Sequence, residues 1–297
     1  MASVLARQAP RGRRGEGAAD FRARARDWAE IQERMLVPLY DAVYQRLDVG
    51  PDSRVLGLGC GSGLALLMAA ARGASVTGVE DEPERLALAR ERLLPAEAAP
   101  GGTIPRLSPR TRSRMSAVAA LVPSVPSRPL GRAPCDPYNV ITVFDDLCTL
   151  AEPERLLSAA ARLAERGSPV VLAGWGPPER CRTGQVLRLA ARLAEPTQGY
   201  AACDPFRLSG PDDLEDIAVR AGLRPDGSGR VACPFAYPDM DSAVRGLCST
   251  GLFDAAVEAT DPTQVEKELT EALHCFRLSD GSIRMDNVFR YVIARTA

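Results

Sequence analysis

The chain has 297 residues, 45% hydrophobic and 25% charged, with Lys+Arg 37 set against Asp+Glu 38 for a net charge of −1. That composition belongs to a folded globular chain and excludes the disordered, fibrous and membrane-spanning classes. The balanced charge gives no case for nucleic-acid or membrane-surface binding.

Met1–Ala19 carries Arg7, Arg11, Arg13 and Arg14 among small residues. It lacks the apolar core of a secretory signal. It is expected to be a disordered tail, with a transit peptide as the other reading, leaving 20–297 as one domain. Phe21–Glu33, with Trp28 and Ile31 on a charged background, predicts a short amphipathic helix. Leu36–Tyr40 opens a second, in whose first turn Pro38 is acceptable, and Asp41–Leu47 continues it to the break at Gly50-Pro51.

Val55–Leu58 then runs into alternate glycines, Gly57, Gly59, Gly61 and Gly63, and Leu64–Ala71 leaves with a helical composition. The pattern reads strand, tight turn, helix. Glycines let a backbone approach a ligand that a Cβ would repel, and a helix N-terminus adds free N–H groups. The turn therefore suits an anionic or polar nucleotide-like ligand. NAD and FAD are disfavoured, because the sixth position is Ser62 counted from Gly57 and Leu64 counted from Gly59. A second strand, Ser75–Glu80, ends in an acid about 20 residues past the turn, where a ribose-binding carboxylate belongs. Asp81–Leu94 predicts a helix started by Pro83.

The run Ala98–Cys135 has no acid and six arginines. A third strand is expected there, at Thr103–Leu107. Arg110–Arg114 reads as a solvated loop or as a face for an anionic substrate. Tyr138–Phe144 is a buried strand ending at Asp145-Asp146. Glu152–Arg166 is a helix, Ser168–Trp175 a fifth strand, and Arg180–Ala194 and Pro211–Ala221 further helices. Leu223–Cys233 is a weak sixth strand. Residues 234–285 form a helical insertion, with pieces near Asp241–Leu247, Phe253–Glu258 and Val265–Phe276. Asn287–Ala294 alternates as the last strand. Strands alternating with helices imply right-handed crossovers and a parallel sheet whose ligands bind at the carboxyl ends of the strands.

Eight cysteines are scattered without a CxxC pair, beside a single histidine, His274. No metal site is expected, and reduced thiols suit a cytoplasmic location.

The stretch GLGCGSG, the helix after it and VTGVE resemble the class I S-adenosylmethionine-dependent methyltransferases. The resemblance implies an α/β fold: a doubly wound, seven-stranded, mostly parallel sheet of Rossmann-like type. N-terminal helices and a helical cap (234–285) before the last strand complete it. It implies S-adenosyl-L-methionine as cofactor and a small-molecule acceptor from biosynthesis. The family's pattern carries cofactor contacts to Gly57, Leu58, Gly59, Cys60, Gly61, Gly63, Glu80, Asp81, Phe144 and Asp145. Substrate contacts fall to Trp28, Tyr40, Asp146 and Trp175. Asp145 and His274 are the candidates for proton transfer, His274 for its intrinsic pKa. Two family anchors are absent: the acid expected at Gly57, and an acid after the third strand. Losing a charge-assisted hydrogen bond of that kind costs about 1.5–3 kcal/mol. The same fold without methyl transfer, catalysing a cyclisation, elimination or rearrangement, therefore stands as an alternative. So does a non-catalytic partner subunit. The acceptor atom and the oligomeric state are not legible.

Overall fold

A computed structural model of the chain describes residues 18–94, 118–130, 136–144, 146–148, 150, 152–194 and 204–297. The chain begins with α1 (Ala18–Asp27), which passes into a π-helical turn (Trp28–Gln32), a 3-10 turn (Glu33–Leu36) and α2 (Val37–Arg46). The two N-terminal helices expected from sequence are thus one rod whose pitch widens and then tightens. The helix starts two residues inside the expected tail, and 1–17 lie outside the described residues. π and 3-10 stretches within a helix often mark functional positions, and here they carry Trp28 and Glu33.

The sheet is built from β1 (Arg54–Leu58), β2 (Ser75–Val79), β3 (Val118–Val122), β4 (Val140–Val143), β5 (Pro169–Trp175) and β6 (Arg224–Ala232). Between them lie α3 (Leu64–Ala71), α4 (Pro83–Leu93), α5 (Pro153–Ala161), α6 (Thr183–Leu193) and α7 (Asp213–Arg220). The cap contributes β7 (Phe235–Tyr237), α8 (Met240–Cys248), α9 (Asp254–Ala259), α10 (Pro262–Leu273) and β8 (Ile283–Met285), and β9 (Val288–Arg295) closes the fold. Strand order is β3-β2-β1-β4-β5-β9-β6. The first five strands pair in parallel, and β9 is antiparallel to both β5 and β6. The doubly wound, seven-stranded expectation holds.

Period-two alternation divides the core between the two faces of the sheet. Val171, Ala173 and Trp175 of β5 join α2, α3, α6 and the cap on one side. Val170 and Leu172 join Leu156 and Leu157 of α5 and Leu214 and Ile217 of α7 on the other. Buried on both faces, β1 and β4 read as continuous apolar runs, as parallel strands do.

Three differences from the sequence reading have physical causes. The third strand is Val118–Val122, with Thr77 opposite Ala120 and Val79 opposite Val122. The segment expected to supply it, Thr103–Leu107, lies outside the described residues, as does Arg110–Arg114. The run VAALV is uniformly apolar and shows no alternation that would mark it as a strand. The predicted helix Glu152–Arg166 ends at Ala161, because Ala164 turns to bridge Tyr138 beside the sheet. The cap also contains an antiparallel pair, β7 with β8, that was not foreseen. The strands are three residues each, too short for alternation to register.

Asp239 caps α8, its carboxylate accepting the Ser242 N–H at 2.7 Å. Hydrogen bonds from the Ser242 backbone and side chain hold the Asp239 carboxyl below its ordinary range. A depressed folded pKa contributes stability above the unfolded value, near 3.9, that is lost as pH falls through the folded one. Asp239→Asn should therefore flatten the acid limb of a melting-temperature profile below about pH 4 and leave the neutral region nearly unchanged.

Burial pushes the Cys233 thiol up to about 12 and raises that of Cys181. Cys275 is exposed. Since the thiolate is the reactive form, Cys275 should be alkylated in the native protein while Cys181 and Cys233 stay silent until unfolding. Peptide mapping after timed labelling checks this, and early modification of Cys233 would contradict the packing. No described helix is long and apolar enough to cross a membrane.

Candidate cofactor site

The order in which strands are laid down reverses between β1 and β4, so the crevice at their carboxyl ends is where an open α/β sheet binds ligands. A small pocket open to solvent lies there. Its floor is the turn Gly57–Gly61, its apolar side is Leu66 and Phe144, and its roof is Trp28, Glu33 and Tyr40 from the N-terminal rod. Ala65, Arg85 and Thr142 complete the lining. Tyr40 packs on Phe144 with ring centroids 4.8 Å apart.

Gly59, Gly61 and Gly63 all adopt positive φ (60°, 57° and 84°), a conformation that costs other L-residues about 1–2 kcal/mol. Glu80 is fully buried and holds this turn from beneath. Its carboxylate accepts the Gly61 N–H at 2.8 Å and the Glu82 N–H at 3.0 Å. The turn is thus stiffened by the same acid that the sequence offers as a ribose ligand.

Glu33 reaches the turn from above and is 2% exposed. It accepts from the Ser62 hydroxyl, from Arg92 at 2.8 Å and from the Leu64 N–H, at the start of α3, at 3.3 Å. Arg92 also donates to the Ala29 carbonyl at 3.4 Å, fastening the rod to α4. Breaking a pair this buried would strand a charge and cost about 3–5 kcal/mol. Trp28 lies under the Arg85 guanidinium, 4.5 Å from ring centre to Cζ. Its Nε1–H is buried and has no hydrogen-bond partner among the described residues. Arg85 is itself 5% exposed; it donates to the Ser249 carbonyl of the cap at 3.3 Å and pairs with Glu82 at 3.1 Å.

Residues 7–224 match the family model described as a methyltransferase domain. The chain belongs to the methyltransferase domain family. No curated protein sequence matches it. Among solved structures, a SAM dependent methyltransferase from Aquifex aeolicus is similar at 12% identity and a TM-score of 0.50, over 93% of this chain and 98% of that one. YjhP from E. coli is similar at 16% identity and 0.50, over 93% and 99%. YcgJ from Bacillus subtilis is similar at 15% identity and 0.50, over 87% and 98%. At such identities the likeness shows the fold, the Rossmann-like fold of class I S-adenosylmethionine-dependent methyltransferases.

Of the residues singled out from this methyltransferase sequence, the fold gathers Trp28, Tyr40, Gly57, Leu58, Gly59, Cys60, Gly61 and Phe144 around one pocket. Gly63 instead sits where α3 meets α4, with room against Ala89 and Leu93 for no side chain. Glu80 faces the turn's backbone, and Asp81 is half-buried beyond it. Asp145 lies outside the described residues, and so does the side chain of Asp146, whose backbone opens a 3-10 turn. Two residues lie away from this pocket. Trp175 is not at the pocket: it is buried among Phe206, Phe235 and Phe289, with centroids 4.7–5.6 Å away. His274 is exposed on the turn after α10 and lines no part of the pocket, so it is not placed to take a proton there. Among the described residues no group of His, Cys, Asp or Glu is arranged to hold a metal.

Gly57 has a structural counterpart. A Cβ there would lie 2.9 Å from Cδ2 of Leu66. The space where a side chain at 57 would begin is filled by Leu66, so the missing acid is compensated by packing rather than left as a gap. Glu33 and Arg85 were missed from sequence. The available signal was a charge within an apolar helical stripe: Arg85 with Ala89 and Leu93, Glu33 with Leu36 and Tyr40.

Proposed function

We propose that this chain is an S-adenosylmethionine-dependent methyltransferase acting on a small molecule. Family membership supports the reading, as does the stiffened glycine turn at the sheet's switch point. The observation that carries it is the buried Nε1–H of Trp28, without an acceptor among the described residues, beside a pocket that otherwise offers apolar walls, a buried guanidinium and a buried carboxylate. Ligand pockets combine mostly apolar lining with a few placed polar groups. A buried donor without an acceptor costs about 1–3 kcal/mol until a ligand meets it.

When bound, S-adenosylmethionine supplies an electrophilic methyl carbon. The residues of this chain bind, orient and exclude water. The glycine turn, braced from beneath by Glu80, holds the nucleoside side, while Phe144, Tyr40 and Leu66 shield the pocket. The test is calorimetric titration of the whole chain with S-adenosylmethionine and S-adenosylhomocysteine. Micromolar binding of both is expected, and binding of neither would overturn the reading.

A second reading is favoured by Gly57 and Leu66, which close off the place of a family acid. In it the same pocket serves a cyclisation, elimination or rearrangement. Conversion of a substrate that persists without S-adenosylmethionine would support it, and a methylated product would exclude it.

A further inference from the structure

We infer that the roof of the pocket and the first part of the cap form one lid: α1, the π-helical turn and α8 open and close as a unit. The inference goes beyond the cofactor reading and does not depend on it. The two ends of the rod have different supports. α2 lies on the sheet, with Leu39, Val43 and Tyr44 fully buried in the core. α1 and the π-helical turn are bound to the cap at four places. Arg24 pairs with Asp254 at 2.8 Å, the two side chains only 20% and 10% exposed. Arg245 of α8 pairs with Asp27. The buried Tyr237 hydroxyl donates to Oε1 of Gln32 at 2.8 Å. Gly246 lets the backbone of α8 close on the π-helical turn: a Cβ there would lie 2.9 Å from Cγ2 of Ile31 and 3.2 Å from Oε1 of Gln32. The hydrogen bonds from this unit to α4 are longer. Arg92 reaches the Ala29 carbonyl at 3.4 Å and Arg85 the Ser249 carbonyl at 3.3 Å, so the weaker seam lies beneath the lid and not within it. Between the lid and α2 stands the 3-10 turn Glu33–Leu36, and a tightened turn inside a helix commonly serves as a hinge. Glu33, held there by Ser62 and Arg92, fixes the pivot. The rod brings Trp28 and Glu33 to the pocket, whereas α8 lines no part of it. Opening α8 therefore carries the roof with it, and a ligand that steadies one steadies the other by the same free energy.

The test is amide hydrogen exchange of the full chain, read on peptides from 24–32, α8 and β1. Two substitutions in α8 are compared with wild type in the absence of ligand. Arg245→Gln cuts an ion pair to the rod. Gly246→Ala wedges a methyl group against the π-helical turn, although alanine is the better helix former and would slow exchange in an independent α8. Each is expected to speed exchange in 24–32 and in α8 by the same factor, about tenfold, and to leave β1 unchanged. Arg24→Gln, on the rod, should do the same from the other side. Effects confined to the element that carries the substitution would overturn the inference. With saturating S-adenosylhomocysteine, wild-type chain is expected to exchange more slowly in α8 as well as in 24–32, and slowing of 24–32 alone would also overturn it. If S-adenosylhomocysteine does not bind, the cofactor reading falls and the ligand-free comparison still decides the lid.

Discussion

Replacing Glu80 by alanine is expected to lower the melting temperature by several degrees and to weaken S-adenosylhomocysteine at least tenfold. The carboxylate is fully buried and takes the N–H groups of both Gly61 and Glu82. Alanine leaves two buried backbone donors without an acceptor, at about 1–3 kcal/mol each. For a domain of this size each kcal/mol is about 2–4 °C. The loss of affinity follows from the same bonds, since a turn not held from below no longer presents its N–H groups in one geometry. Thermal melts and titration of one preparation check both. Glu80→Gln should recover part of the stability, because the amide oxygen still accepts one N–H. A Glu80→Ala protein with unchanged melting temperature would mean that the turn does not depend on this acid.

Gly61→Ala is expected to cost about 1–2 kcal/mol in denaturant unfolding and to abolish measurable binding of S-adenosylhomocysteine. The backbone there has φ 57°, where a Cβ is strained whatever surrounds it. The new methyl group would also press on Glu33 Oε1 and Trp28 Nε1 at 3.1 and 3.2 Å. Neither neighbour gives way freely: Glu33 is held by Arg92 and Ser62, and Trp28 is clamped under Arg85. An alanine variant that binds normally would show that the rod lifts easily from the turn.

The strand–turn–helix around Gly59 and the acid at Glu80 were legible from sequence because both are local. Glycine spacing and an apolar run with an acid at its end are written in consecutive residues. The order of the elements was legible for the same reason, strands and helices differing in the period of their apolar positions. The third strand was misplaced because Val118–Val122 is a short apolar run without alternation, recognisable as a strand only once paired with β2. Trp175 and His274 lie away from the pocket, since residue type and position along the chain say nothing of which way a side chain points. One is turned into an aromatic core and the other into solvent.

By itself, then, the sequence determined a doubly wound α/β fold, the glycine turn at its switch point, and the absence of the acid at position 57. Only the tertiary structure decided what packs against Gly57 and what roofs the pocket. Leu66 fills the gap from α3, and Glu33 and Trp28 arrive from a rod about 25–30 residues upstream. The reason is physical: a local motif sets backbone conformation through sterics that act between neighbours, whereas a binding site is closed by side chains brought together when distant apolar surfaces are buried.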